Sequence, residues 1–383
     1  MDDTLLGGLT AAQFMRRHWQ KSPRLIRQAI PGFGGVLNKR ALFALAARDD
    51  VESRLVVRRG TPRKSIWTLE HGPFRSADFK GLPGTGWTLM VQGVDLHVEA
   101  ASTLLQRFDF IAHARLDDLM ITYAAPGGGV GPHFDSYDVF LLQGPGRRRW
   151  QISTQDDLHL VPDAPLRILR RFAAQDTWEL DPGDMLYLPP SVAHDGVALT
   201  ECMTYSIGFR APTAQELVEG FLQFLPDVLN LANERYADPD RAATRTPGRI
   251  DATMQRQLGA MLRTLRWDRA IVERFLCCTL SEPKANVFFD PPAQPLALPE
   301  FIQRARTGTA GLRLDRRARM LYDDERVFIN GQVMAALAGH PQLAALADRR
   351  RLPQPAGLSR ATWRILHDTY LTGALHVGPP NTS

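Results

Sequence analysis

The stretch GVGPHFDSYDVFLLQGPGRRRW, Gly129–Trp150, places a histidine and an aspartate two residues apart behind one glycine turn and three arginines behind another. If the chain enters a strand at Gly131, side chains alternate, and His133 and Asp135 project from one face. An imidazole and a carboxylate so placed can bind one metal ion, which still needs a third protein ligand. LDPGDMLYLPPSVAHDG, Leu180–Gly196, supplies one: a proline-glycine turn feeds an apolar strand, two prolines follow, and then comes His194. Two histidines and one carboxylate form a facial triad, which leaves positions of an octahedral Fe(II) open for substrate and O2. Structural zinc sites usually bring cysteines, so His133, Asp135 and His194 are predicted to hold Fe(II).

The arginines extend this reading. In RRRWQI the side chains alternate, so Arg148 shares a face with Trp150 and Ile152, the face expected to point inward. A buried guanidinium requires a carboxylate partner. A dicarboxylate cosubstrate meets that need through paired, charge-assisted hydrogen bonds, which predicts Arg148 as the anchor of 2-oxoglutarate. Arg147 and Arg149 fall on a solvated or substrate-facing edge.

Outward from this stretch the patterns divide the chain. From Asp118 to Pro212, short strand-like runs (DLMITYA, DVFLLQ, RRWQIS, TWELDPG, MLYLPP, CMTYSIGF) alternate with glycine and proline turns, as in a sandwich, barrel or jelly roll. DAPLRILRRFAAQ, within that run, reads as a helix or an insertion. Upstream, Thr10 and Gln13 make a capping box for a first helix, with Leu9 placed to staple onto Phe14. At Ala211 the period changes from two to nearly four. Thr213 and Glu216 form a second capping box, Leu217, Phe221 and Phe224 follow until Pro226, and Met254, Leu258, Met261 and Leu265 form another stripe suited to a core or dimer surface. After the linker FFDPPAQPLALPE, RARMLYDDERVFING predicts two strands around a DDER turn and QVMAALAGHPQLAALAD a helix, the order of a winged-helix-like module; a helical tail ends the chain.

Composition excludes several classes. The 383 residues hold no apolar run of about 18, so no membrane span is expected. The three cysteines, Cys202, Cys277 and Cys278, include no CxxC pair, which excludes a disulfide framework or zinc ribbon. With a start that lacks a basic and then apolar leader, this predicts a cytoplasmic protein. Its net charge of +5 is too weak to imply nucleic-acid binding except through the ribosome.

The segments LDDLMITYAAPGGGVGPHFDSYDVFLLQGPGRRRW, ELDPGDMLYLPPSVAHDGVA and YSIGFRAPT resemble the JmjC-type, cupin-fold 2-oxoglutarate oxygenases, and among them the bacterial ribosomal oxygenases that hydroxylate an arginine of the sixteenth large-subunit ribosomal protein. The resemblance implies a mainly β plus α architecture: a double-stranded β-helix (jelly roll) catalytic domain over 1–212, a helical dimerisation region over 213–290, and a winged-helix-like domain over 297–383. It also implies that His133, Asp135 and His194 are iron ligands and that Arg148, fifteen positions after the first histidine, binds 2-oxoglutarate. An arginine substrate needs an acceptor and a hydroxylated wall, for which Asp118 and Tyr137 are candidates. Ser206 is placed to donate a hydrogen bond to the cosubstrate. The expected partners are a ribosomal protein substrate and a second copy of the chain. Rival readings are a histidine hydroxylase, a lysine demethylase, or a non-catalytic cupin sensor with a DNA-binding winged helix.

Overall fold

The computed structural model describes residues 4–61, 64–229, 235–307 and 311–378. These form two compact units: 1–211 with 285–289 and 315–317, and 212–284 with 290–314 and 318–383.

The first unit contains helices α1 (Ala11–Arg17), α2 (Lys39–Ala46) and α3 (Glu99–Leu105) and eleven strands: β1 (Arg24–Ile26), β2 (Ser53–Thr61), β3 (Lys64–His71), β4 (Trp87–Val91), β5 (Leu116–Ala124), β6 (Val139–Gln143), β7 (Arg148–Ser153), β8 (Asp176–Leu180), β9 (Met185–Leu188), β10 (Ala193–Ala198) and β11 (Cys202–Phe209). Eight strands form one sheet in the order β1-β9-β6-β11-β5-β4-β2-β3, and β10-β7-β8 form a smaller one. Every pairing is antiparallel. This is the jelly roll that the short, turn-bounded strands predicted.

Period two explains how the large sheet is sandwiched. Leu119, Ile121 and Tyr123 of β5, and Tyr205, Ile207 and Phe209 of β11, enter a core with Phe14 of α1, Leu42 of α2 and Leu104 of α3. The alternate residues face inward, where Val139, Leu141, Leu186 and Leu188 pack on Trp150, Ile152 and Leu180 of the small sheet. Both faces are covered, so all eight residues of β11 are buried. At the entry to the fold, Thr10 and Gln13 cap α1 reciprocally at 3.2 and 3.0 Å, as the sequence predicts.

Two local expectations in this unit are refined. Of the two readings of DAPLRILRRFAAQ, the structure shows the insertion: it forms no helix and belongs to a long loop that contains an isolated bridge between Leu160 and Leu169. AHDGVA, read only as a histidine following a strand, is itself the strand β10.

The second unit holds α4 (Ala214–Val228), α5 (Ala252–Leu262), α6 (Arg269–Ser281), α7 (Leu298–Thr307), α8 (Pro341–Arg349) and α9 (Arg360–Leu371). Its strands are β12 (Leu312–Leu314), β13 (Met320–Tyr322), β14 (Arg326–Ile329), β15 (Gln332–Ala336), β16 (Arg351–Leu352) and β17 (Leu375–Val377), arranged as the sheets β16-β12-β17 and β13-β14-β15. Thr213 and Glu216 make the expected capping box, but α4 runs past Pro226 to Val228, because a proline in the last turn removes only one helical hydrogen bond. The helix expected from Gln332 begins only at Pro341. Asn330 and Gly331, with φ of 50° and 85°, make the two-residue hairpin turn that pairs β15 with β14. Cys277 and Cys278, on α6, are half-buried. The tail is not wholly helical, since β17 pairs with β12 after α9.

Gly146 turns the chain between β6 and β7 at φ 80°, and a β-carbon there would lie 2.7 Å from Cys202 Cα. Gly146→Ala should therefore cost more than about 1 kcal/mol, measured as a lower urea midpoint at unchanged slope.

Candidate active site

The decisive segment, residues 131–138, is a loop rather than the strand that alternation suggested. Gly131 at φ 81° and Pro132 interrupt the regular pattern, and only His133 regains strand pairing, as an isolated bridge to His194. The pairing is reciprocal: His133 N donates to His194 O at 2.9 Å, and His194 N donates to His133 O at 2.7 Å. Ser191 N donates to the Asp135 carbonyl at 2.8 Å, so the loop is stitched to β10 and its approach on both sides of the bridge.

This stitching brings the three predicted ligands together. One donor atom from each of His133, Asp135 and His194 lies within 4.8 Å of the others, the one such group of metal-capable side chains among the described residues. The imidazole centroids are 4.2 Å apart, and His194 Nε2 is 3.8 Å from Asp135 Oδ2. His133 Nδ1 donates to Gly131 O and His194 Nδ1 to Val192 O, both at 2.9 Å. Backbone carbonyls thus fix both tautomers and leave each Nε2 lone pair for a ligand. Burial, reinforced by the neighbouring His133, depresses the His194 pKa to about 4, so its ring is neutral near pH 7. The set of two imidazoles and a carboxylate, with ligand atoms within 4.8 Å of one another, suits a divalent transition metal.

Arg148 lies deeper in the same cavity of about 380 Å3. It is opposite Ala198 on β10, four residues along from His194, or about 13 Å of strand. Its side chain reaches back toward the metal end: Nη1 donates to Thr122 Oγ1 at 3.2 Å and Thr204 Oγ1 at 3.0 Å, and Nη2 to Gly196 O at 3.3 Å. The residue is 3% exposed, its Nε has no hydrogen-bond partner, and no carboxylate among the described residues lies within ion-pair distance. Burial lowers its pKa, yet guanidinium basicity leaves ample margin for it to stay charged. A buried, hydrogen-bonded guanidinium suits a carboxylate partner. Arg147 instead makes surface ion pairs with Glu179 and Asp181 at 2.5 and 3.0 Å, the solvated edge that alternation allowed.

The remaining predicted residues line this cavity too. Asp118 is buried on β5, and its Oδ2 accepts from Gly93 N at 3.0 Å. Ser206, buried on β11, is opposite Met120 of β5. Tyr137 sits on a bend and remains 40% exposed at the cavity wall. Desolvation, followed by the carboxylates of Asp135, Asp118 and Asp117, pushes its phenol pKa upward, so the hydroxyl stays protonated.

Residues 103–217 match the JmjC domain family, and 264–375 match the ROXA-like winged helix. The chain is similar to the ribosomal protein uL16 3-hydroxylase of Escherichia coli, at 34% identity over 87% of each chain. It belongs to the JmjC ribosomal oxygenase family. Among solved structures of that family, E. coli YcfD aligns with TM-score 0.80 and 32% identity over 96% of this chain and 98% of that one. YcfD in complex with cobalt and 2-oxoglutarate aligns with TM-score 0.79 and 31% identity over the same shares.

The family fold also brings in residues that the sequence reading missed. Thr122 and Thr204 hold Arg148, and Arg54, Thr88, Met90, Phe134, Leu166 and Arg167 line the cavity. The threonines carried a usable signal: Asp118, Met120 and Thr122 follow period two on β5, as Thr204 and Ser206 do on β11. Arg167 carried none, since its place depends on a loop without periodicity.

Gly196 lies directly opposite Trp150, and a β-carbon on it would sit 2.5 Å from the indole, which itself packs 5.8 Å from His194. Gly196→Val should cost about 1–3 kcal/mol by overpacking, read as a lowered thermal midpoint together with altered near-ultraviolet circular dichroism from Trp150.

Proposed function

We propose that the protein is an Fe(II)- and 2-oxoglutarate-dependent hydroxylase of a large-subunit ribosomal protein of the uL16 class, with an arginine side chain as its target. The observation that carries this reading is the pairing, in one cavity, of a His-Asp-His triad with a buried arginine lacking an anion. Fe(II) would be held by His133 Nε2, His194 Nε2 and an Asp135 oxygen, and when bound it supplies the redox chemistry by which O2 is activated. 2-Oxoglutarate, a five-carbon diacid, would bind in the cavity that these residues share, with its distal carboxylate on Arg148 and Ser206 placed to donate a hydrogen bond to it. Thr122 and Thr204 orient the guanidinium before the cosubstrate arrives, so little reorganisation opposes its binding.

The chain's own residues also favour a cationic target. Asp118 presents a buried carboxylate and Tyr137 a protonated hydroxyl on the cavity wall, acceptor and positioning group for a guanidinium. The DNA-sensor alternative fits less well, because the turn between β13 and β14 carries Asp323, Asp324 and Glu325, the wrong sign for phosphate. The reading includes cytoplasmic action, and no described helix is long and apolar enough to cross a membrane. It also includes a homodimer formed through residues 213–290. There α4 exposes Val218 and Leu222 at 57% and 58%, and α5 exposes Leu262 at 69%, apolar surface suited to burial against a second copy.

Asp135→Ala should weaken Fe(II) binding and lower 2-oxoglutarate turnover by roughly 100-fold or more. Arg148→Met should retain Fe(II) but raise the 2-oxoglutarate KM by the equivalent of about 2–5 kcal/mol, the cost of removing one partner of a buried charge pair. Isothermal titration with metal and a succinate-release assay separate the two. Incubation with uL16 should add about 16 Da, one oxygen atom, to an arginine by peptide mass spectrometry. Oxygen on histidine, or loss of a methyl group from lysine, would select a rival chemistry.

A further inference from the structure

The loop over residues 156–175 is built to hold a fixed shape at the cavity. At its neck, Gln155 Nε2 donates to Arg171 O at 2.9 Å while Gln155 Oε1 accepts from Ala173 N at 3.1 Å. Midway, Arg170 N donates to His159 O and Val161 N to Ile168 O, both at 2.8 Å. Leu169 N then donates to Pro132 O at 2.7 Å, one residue from His133. Ile168 and Leu169 are buried, and Ile168 packs within 3.4 Å of where a β-carbon on Gly131 would lie. A compact surface loop with a closed neck and an anchored tip is a common carrier of function.

That tip delivers Leu166 and Arg167 to the cavity that contains the triad. The Arg167 guanidinium lies 5.2 Å over the Phe134 ring, between His133 and Asp135 in the chain. Arg167 is otherwise exposed, with no carboxylate within ion-pair distance among the described residues. Stacking fixes the plane of the fork at low entropic cost and leaves its N–H donors for a ligand. The guanidinium carries donors only, so Arg167 needs acceptors that any incoming protein segment supplies. Acceptors present in every such segment are main-chain carbonyls.

We propose that Arg167, stacked on Phe134, binds the main-chain carbonyls of the substrate segment that leads the target side chain into the cavity. This rests on the reading above that the substrate is a protein. The loop is thus a substrate-binding element, and the side chain contributes affinity rather than chemistry.

The test is steady-state hydroxylation of uL16 by the full-length iron enzyme, with uL16 binding followed separately by biolayer interferometry. Arg167→Ala should raise the uL16 KM and Kd roughly 10-fold or more while kcat moves less than about two-fold. Arg167→Lys should recover part of the loss, since it restores a donor without the fork. Arg170→Ala removes an equal charge from the same loop but outside the cavity, and should leave KM at the wild-type value. The inference is overturned if Arg167→Ala binds and turns over uL16 like wild type, if Arg170→Ala raises KM equally, or if kcat falls with the loss, which would mean disturbance of His133 through Pro132. If the wild-type enzyme neither binds nor hydroxylates uL16, the substrate reading fails and takes this inference with it. Normal wild-type activity with an indifferent Arg167 variant defeats the inference alone.

Discussion

Two backbone hydrogen bonds exchanged between His133 and His194 hold the site together. They join a loop that leaves the large sheet to a strand of the small one, and they do so at the two residues that present imidazoles. Metal-ligand geometry tolerates only a few tenths of an ångström of error, and side-chain packing alone rarely provides that precision on a loop. A main-chain clamp at the ligand positions does, and the carbonyls of Gly131 and Val192 then fix each ring's tautomer. The same chain segments therefore supply both position and protonation state.

The deeper half of the cavity depends on a different constraint. Arg148 is charged and buried, and a few neutral donors and acceptors compensate it only in part. Two threonine hydroxyls and one carbonyl satisfy its geometry without cancelling its charge, which leaves an unspent attraction for a carboxylate. Burying a charge with only neutral partners costs stability, a common trade at functional sites. The large sheet bears that cost because its other face is packed on α1, α2 and α3 through a continuous core.

Much of this was legible beforehand, and for identifiable reasons. Period-two alternation placed Arg148 with Trp150 and Ile152, and all three point inward, because β7 is a regular paired strand. The same rule applied to His133 and Asp135 gave a face that does not exist, since Gly131 and Pro132 break the strand; the histidine and aspartate still converge, through long-range pairing instead of local pleat. Asn330-Gly331 was a hairpin signal overlooked in favour of an alanine-rich helical pattern, and the turn prevailed because its two left-handed residues fit the hairpin that pairs β15 with β14. Arg167 lay beyond any periodic argument.

By itself the sequence determined which side chains are the candidates for the chemistry and the alternation that buries one face of each strand, because residue type and strand period are local properties. Only the tertiary structure decided that His194 meets His133 across a bridge, that Thr122 and Thr204 flank Arg148, and that a loop without regular structure brings Arg167 to the cavity. Those are contacts between residues far apart in the chain. Their geometry is set by how two sheets close on each other, a collective result of packing that no local pattern encodes.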